Sequence, residues 1–200
     1  MYNITNILSI LVEENIIMEG NNKLATREMV LVGLMIALVY LAGSIIKVPS
    51  VGGFVHIGDC MVFLSVIVLG KKKGAVASAF GMLLVDVLGG YYLWAPFTFV
   101  IKGAMGYIAG LILEKMSENT KETMRYIIAF SASGIFMVIG YFLSGIFMAG
   151  FLTNKVGLIQ GLAYSAKDIL GNIIQVITGI VIALPLTAVL LRAKQTVFNN

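Results

Sequence analysis

Two charged side chains lie inside apolar segments, one on each side of a predicted chain reversal. Asp86 comes four residues before the end of the segment Gly74–Gly90, and Lys102 comes six residues after the start of the segment Pro96–Leu113. If these segments are antiparallel helices, a rise of about 1.5 Å per residue puts both charges roughly 6–9 Å below one mouth. Charges at such depth face a partner or a polar cavity. The two residues therefore indicate either a structural Asp86–Lys102 ion pair or a ligand site.

A stripe of polar side chains marks a later apolar segment. Asp168, Asn172 and Gln175 are spaced at i, i+4 and i+7, which puts them on one helical face. The run from Ser165 to Asp168 reads as a capping box, which predicts that the helix begins at Ser165. Asn and Gln often bond between membrane helices. Because the whole stripe lies in the same leaflet as Asp86, we favour ligand binding over a purely structural role.

Two loops at the same end complete this set. The loop 49–59 holds the only histidine, His56, and ends at Asp59, and the loop 89–96 holds Tyr92 and the only tryptophan, Trp94. Aromatic residues at this depth belong either to an interfacial belt or to a surface that stacks on a planar ligand. The predicted ligand site comprises His56, Asp59, Asp86, Tyr92, Trp94, Lys102, Asp168, Asn172 and Gln175.

The composition explains why polar residues are informative here. Of the 200 residues, 59% are hydrophobic and only 12% are charged, whereas soluble domains carry about 25% charged residues. This excludes a soluble globule and a disordered chain, and indicates an integral membrane protein. The single cysteine, Cys60, excludes an internal disulfide.

The apolar segments predict an all-α bundle of six transmembrane helices. These segments are Met29–Ile46, Cys60–Gly70, Gly74–Gly90, Pro96–Leu113, Tyr126–Asn154 and Ile169–Leu191. With the N-terminus inside, ten lysines and arginines lie in inner loops and two in outer loops, so both termini are predicted to be cytoplasmic. Residues 26–192 would form the membrane domain, 1–25 a cytoplasmic tail that is dispensable or an amphipathic surface helix, and 193–200 a second tail.

Features that the sequence lacks exclude several classes of function. The inner half of the predicted bundle is apolar, whereas a channel or an alternating-access carrier lines both halves of its path. The sequence has no Walker A motif, no nucleophile–base pair beyond one His and one Cys, and no metal-ligand cluster. We therefore expect a binding protein that is not an enzyme, with no cofactor, no metal and no nucleic-acid partner.

Two sequence blocks resemble a known family. The blocks Gly52–Asp59 and Asp86–Gly103 resemble the substrate-binding S component of energy-coupling factor (ECF) vitamin transporters, and within it the riboflavin-transporter-like group. The resemblance covers about Thr26–Arg192. It implies a six-helix subunit of a bacterial plasma membrane that captures a vitamin-like small molecule from outside and docks on a transmembrane coupling subunit with two ABC ATPases.

The resemblance also implies a ligand and a docking surface. Riboflavin is the first choice of ligand, followed by pyridoxine or a hydroxymethylpyrimidine. Small residues on helix one contact the coupling subunit in the family, and Gly33 and Ala37 match that pattern, although such a pair also packs helices within a bundle. The alternatives are an autonomous secondary transporter, a small intramembrane enzyme and a structural membrane protein.

Overall fold

The helices of the protein cover its apolar segments. The computed structural model describes residues 4–49, 54–117, 119–149 and 158–198. In this part of the chain an antiparallel hairpin, with Lys47 opposite His56 and Pro49 opposite Phe54, joins the first two of five helices. The elements are α1 Ile4–Ile45, β1 Lys47–Pro49, β2 Phe54–His56, α2 Asp59–Leu88, α3 Ala95–Lys115, α4 Glu122–Phe147 and α5 Leu158–Phe198.

In the described part of the chain, four stretches of helix are long and apolar enough to cross a membrane. They are Ala25–Ile45, Ala95–Lys115, Glu122–Phe147 and Gly161–Ala193. Large apolar side chains on their outer faces, such as Val30, Val100, Ile135 and Val181, are exposed, as a lipid environment favours. The prediction of a helical membrane protein is confirmed, while the count of six crossings and the position of the termini stay predictions.

Helix α2 turns back on itself at Gly70. This residue has φ +75° and ψ 176°, a backbone conformation that is essentially restricted to glycine. The Ser65 and Ser78 hydroxyl oxygens are 3.0 Å apart, although a continuous helix would separate these residues by about 20 Å. Two antiparallel arms, 59–69 and 71–88, therefore stand where the sequence predicts the second and third helices.

The arms approach so closely that only glycine fits between them. A Cβ atom on Gly74 would lie 2.7 Å from the Cα of Val66 and 2.9 Å from the carbonyl oxygen of Ser65. The Ser65 hydroxyl bonds across the same gap, 3.0 Å from the Gly74 carbonyl oxygen. Backbone contact and side-chain hydrogen bonds thus hold the two arms together.

The reversal marks one end of the bundle. Lys73 pairs with Glu28 of α1 at 2.5 Å, and Lys71 pairs with Glu114 near the end of α3. We call this the lysine end. The packing next to it is apolar: Phe63, Met105, Ala109 and Phe130 are fully buried, and the rings of Phe63 and Phe130 stack with centroids 4.2 Å apart.

One predicted helix start is wrong, and one helix is longer than its apolar segment. Helix α5 begins at Leu158, so Ser165 lies inside the helix and the predicted capping box is not one. Helix α1 extends back to Ile4, through most of the predicted tail. The end of the predicted fifth helix, beyond residue 149, lies outside the described residues.

Candidate ligand-binding site

A cavity opens at the end of the bundle opposite the lysine end. Its empty volume, which includes the open mouth, is about 640 Å³. The hairpin, the loop that holds Tyr91 and Trp94, and helices α2 to α5 contribute to its wall. Six of the nine predicted site residues line it: His56, Asp86, Trp94, Asp168, Asn172 and Gln175.

The other three predicted site residues do not line the cavity. Tyr92 is 68% exposed, which suits the interfacial belt that the sequence left open as an alternative. Asp59 and Lys102 are both fully buried and lie beneath the cavity, behind Gln175. They contact the cavity wall through Gln175, which donates a hydrogen bond to Asp59.

Lys102 forms its ion pair with Asp59. Its Nζ donates to Asp59 Oδ1, and both side chains are 0% exposed. Among the described residues Asp86 makes no ion pair with Lys102, so the predicted structural pair has a different acidic member. Counting about 1.5 Å per residue from the lysine end, Lys102 sits at about 18 Å and Asp86 at about 22 Å. Asp86 is thus nearer the mouth, and Asp59 occupies the level of Lys102.

A chain of hydrogen bonds connects this ion pair to the hairpin. Gln175 Nε2 donates to Asp59 Oδ2 at 3.1 Å, and the backbone N–H of His56 donates to Gln175 Oε1 at 3.2 Å. The carboxylate therefore fixes which end of the amide faces the hairpin. A buried carboxylate and a buried backbone N–H both need a hydrogen-bond partner. The Gln175 amide supplies a donor to the Asp59 carboxylate and an acceptor to the His56 backbone N–H.

His56 is held neutral. The backbone N–H of Gly58 donates to His56 Nδ1 at 3.1 Å, which leaves the ring proton on Nε2. Burial, assisted by the positive charge of Lys102, lowers the pKa of His56 from 6.5 to about 4. The imidazole therefore remains uncharged at neutral pH and adds no positive charge to the cavity.

Aromatic rings form two sides of the cavity. Trp94 and Tyr141 have centroids 6.0 Å apart, and Phe54 of the hairpin packs against Tyr91 at 4.7 Å. The Tyr141 hydroxyl lies 3.2 Å from Thr98 Oγ1. Rings at these spacings leave flat apolar faces, which suit a planar ligand.

The sequence missed several lining residues, including Thr98, Tyr141 and Ser165. Thr98 had a usable signal, because it lies four residues before Lys102 and so shares its helical face. Tyr141 had none, since it stands in a long uncharged segment. Ser165 was read as a helix cap, yet its hydroxyl faces Gly145, where a Cβ atom would come within 2.5 Å.

The cavity can bind a small molecule, and its residues do not form a metal centre. Among the described residues, no three His, Cys, Asp or Glu side chains come together to hold a metal ion. Two buried polar atoms of the lining, Asp86 Oδ2 and Ser165 Oγ, have no hydrogen-bond partner. Such atoms are rare in folded proteins, and at the wall of an open cavity they are available to a ligand or a water molecule.

Comparison with known proteins points to transport. A family model described as "ECF-type riboflavin transporter, S component" matches residues 23–192. A protein of Pyrococcus woesei, described as an uncharacterized protein in gap 3'region, is 31% identical over 137 residues, covering 68% of this chain and 82% of the relative. The thiamine precursor transporter HmpT of Lactococcus lactis subsp. cremoris (strain MG1363) is 28% identical over 160 residues, covering 78% of this chain and 83% of the relative.

Proposed function

The chain belongs to the family of ECF-type riboflavin transporter S components, and from that premise we propose that it captures a vitamin or vitamin precursor from outside a bacterial cell. The ligand enters the cavity and is then passed inward with a transmembrane coupling subunit and two ABC ATPases. The observation that carries this proposal is a polar, aromatic-walled cavity at the end of the bundle away from the lysines, with buried apolar side chains such as Phe63 and Phe130 packed between it and the lysine end. That arrangement suits capture and offers no continuous path across the membrane.

The ligand is a small nitrogen heteroaromatic. The family description names riboflavin, and a relative is named for a thiamine precursor, which favours the hydroxymethylpyrimidine that the resemblance also allows. Both compounds are planar and polar at their edges, as the cavity requires. His56, Asp86, Trp94, Asp168, Asn172 and Gln175 would contact the ligand, and Asp59 with Lys102 would hold Gln175 in position.

Removing a ligand contact should weaken binding without unfolding the protein. Trp94→Ala removes a stacking surface and Asn172→Ala removes an amide, and we expect each to reduce affinity by about 5- to 150-fold. The experiment is mass spectrometry of small molecules that co-purify with the detergent-solubilised protein. Calorimetric titration of the identified compound into wild type and variants then follows.

Tyr92→Ala provides the matched control, because Tyr92 is an exposed aromatic residue next to the same cavity. It should leave affinity unchanged. If both Trp94→Ala and Asn172→Ala keep the wild-type affinity and melting temperature, the cavity is not the ligand-binding site. Ligand accumulation by proteoliposomes containing this chain alone would instead favour an autonomous transporter.

The coupling subunit would dock on α1. Gly33 and Ala37 are exposed on this helix, and a Cβ atom on Gly33 would meet nothing within 4 Å. Packing within the bundle therefore does not explain their small size. A pair of small residues one turn apart permits close backbone approach by a partner helix.

Bulk at this surface should prevent assembly and spare ligand binding. Ala37→Leu should reduce recovery of the coupling subunit and the ATPases in a pull-down by about tenfold, the loss that corresponds to about 1.4 kcal/mol. Ala188→Leu is the matched control, since Ala188 is an exposed alanine on α5. Equal recovery with the two variants would exclude this part of α1 from the interface.

A further inference from the structure

A second cavity lies at the lysine end of the bundle, between the turn of α2 and the ends of α3, α4 and α5. Its empty volume, which includes the open mouth, is about 890 Å³. We call it the Arg125 groove, and its lining includes Val66, Lys71, Leu113, Arg125, Tyr126 and Leu191. Three candidate membrane spans, Ala95–Lys115, Glu122–Phe147 and Gly161–Ala193, each have one end beside it. The groove therefore lies at the level where lipid tails give way to headgroups.

Two contacts hold the walls of the groove in place. A Cβ atom on Gly110 would lie 2.6 Å from the Cα of Lys71, so the turn of α2 packs directly on the backbone of α3. On the other side, Arg125 Nη2 of α4 donates to the carbonyl oxygen of Leu113 at 2.7 Å. This carbonyl belongs to the last turn of α3, where the helix itself supplies no donor. The groove is thus formed by packed elements before anything binds.

Arg125 is a half-buried cation without an acidic partner in the described part of the chain. Its guanidinium makes one hydrogen bond there, to the α3 carbonyl, and its buried Nε makes none. The two neighbouring carboxylates are engaged elsewhere, because Glu114 pairs with Lys71 and Glu122 Oε1 accepts from the Tyr126 hydroxyl at 3.2 Å. A guanidinium carries five N–H donors in a geometry that matches phosphate oxygens. The groove therefore favours an anion of this kind.

The rest of the lining indicates where the anion comes from. Val66, Ile67 and Leu191 present an apolar wall next to the charged side chains. A soluble phosphate would gain nothing from this wall. A phospholipid would use both parts, since its phosphate can meet the guanidinium while its tail covers apolar surface.

We propose that the Arg125 groove binds an anionic phospholipid, with the headgroup phosphate at the Arg125 guanidinium and an acyl chain along the apolar wall. The site is separate from the ligand cavity, which lies at the opposite end of the bundle, and it does not depend on the proposed function. Basic pockets between membrane helices bind anionic headgroups of the cytoplasmic leaflet. The lysine end is the end that the sequence predicts to face the cytoplasm.

The wild-type protein provides the first test. Native mass spectrometry of the detergent-solubilised protein would compare phosphatidylglycerol with phosphatidylcholine that carries the same acyl chains. We expect phosphatidylglycerol to bind at least about fivefold more tightly. Equal binding of the two lipids would overturn the inference. Displacement of phosphatidylglycerol by an equal concentration of glycerol 1-phosphate would overturn it too, because the site would then recognise a soluble phosphate.

The second test removes the guanidinium. Arg125→Gln should reduce the preference for phosphatidylglycerol by at least about fivefold. Lys72→Gln is the matched control, since Lys72 is an exposed lysine of the same end that does not line the groove, and it should keep the preference. Equal losses in the two variants would show that the overall positive charge attracts the lipid, and would overturn the inference.

The third test fills the apolar wall and leaves Arg125 and its hydrogen bond in place. Leu191→Trp should reduce affinity for phosphatidylglycerol by about tenfold, the loss that corresponds to one blocked contact surface. Leu190→Trp, at a neighbouring exposed leucine outside the groove, should leave affinity unchanged. Equal affinity of the two variants would overturn the inference, and this comparison remains decisive even where Arg125→Gln fails to fold. An Arg125→Gln protein that keeps its preference for phosphatidylglycerol but no longer recovers the coupling subunit would overturn it in favour of a protein-docking surface.

Discussion

Lys102→Met should lower the free energy of unfolding by about 3–5 kcal/mol, the usual cost of stranding one member of a buried ion pair. Methionine has a similar length but no charge, so the fully buried Asp59 carboxylate would lose its ion-pair partner and lie beside an apolar side chain. The measurement is reversible unfolding of the purified protein in mixed micelles, with the melting temperature recorded in parallel. Ligand affinity should fall too, because Asp59 orients Gln175.

Two double variants identify the partner of Lys102. Asp59→Asn combined with Lys102→Met removes both charges and should recover most of the lost stability, since neutral replacement of a buried pair is often tolerated. Asp86→Asn combined with Lys102→Met should recover little. Rescue by the Asp86 variant and not by the Asp59 variant would contradict the pairing described above.

Gly74→Ala should destabilise the protein by about 1–3 kcal/mol, the usual cost of overpacking. The new methyl group would press against the backbone of Val66 and Ser65, and backbone atoms cannot rotate away as a side chain can. The two arms of α2 would separate and lose the hydrogen bond between the Ser65 hydroxyl and the Gly74 carbonyl. Equilibrium unfolding in micelles measures the effect.

The chain offers a matched control for this change. Gly33→Ala also adds one methyl group to a helical glycine, but at a position with open space around it. It should be neutral or stabilising by up to about 1 kcal/mol, because alanine has the higher helix propensity. A loss of stability as large as that of Gly74→Ala would show that the close contact between the two arms does not account for the effect.

Depth along the helices was the most informative property of the sequence. Polar side chains within apolar membrane segments face the interior of the bundle or a cavity. Counting residues along two helices therefore predicted that Asp86, Asn172 and Gln175 lie at a similar depth. The same count predicted Asp86 as the ion-pair partner of Lys102, whereas the structure has Asp59 in that position. The sequence assigned loop 49–59 to the outer surface, whereas the hairpin packs inward and delivers Asp59 one level lower.

Local motifs were less reliable than depth. The run from Ser165 to Asp168 has the residues of a capping box, but the helix continues to Leu158 because no proline or glycine pair interrupts it there. In a membrane bundle, tertiary packing decides where a helix begins, and a serine inside it is free to face a cavity. Tyr141 was unpredictable for a related reason, since one hydroxyl in an apolar segment carries no positional signal.

The shortness of the first arm of α2 has a consequence for permeation. Its eleven helical residues, from Asp59 to the turn at Gly70, span about 16 Å, whereas the hydrocarbon layer is about 30 Å thick. A solute resting on Gln175, just above Asp59, has therefore passed about half of the dielectric barrier before any part of the protein moves. The stacked rings of Phe63 and Phe130 lie in the other half. Under the proposed function, the work that remains for the coupling subunit and the ATPases is therefore confined to a single leaflet.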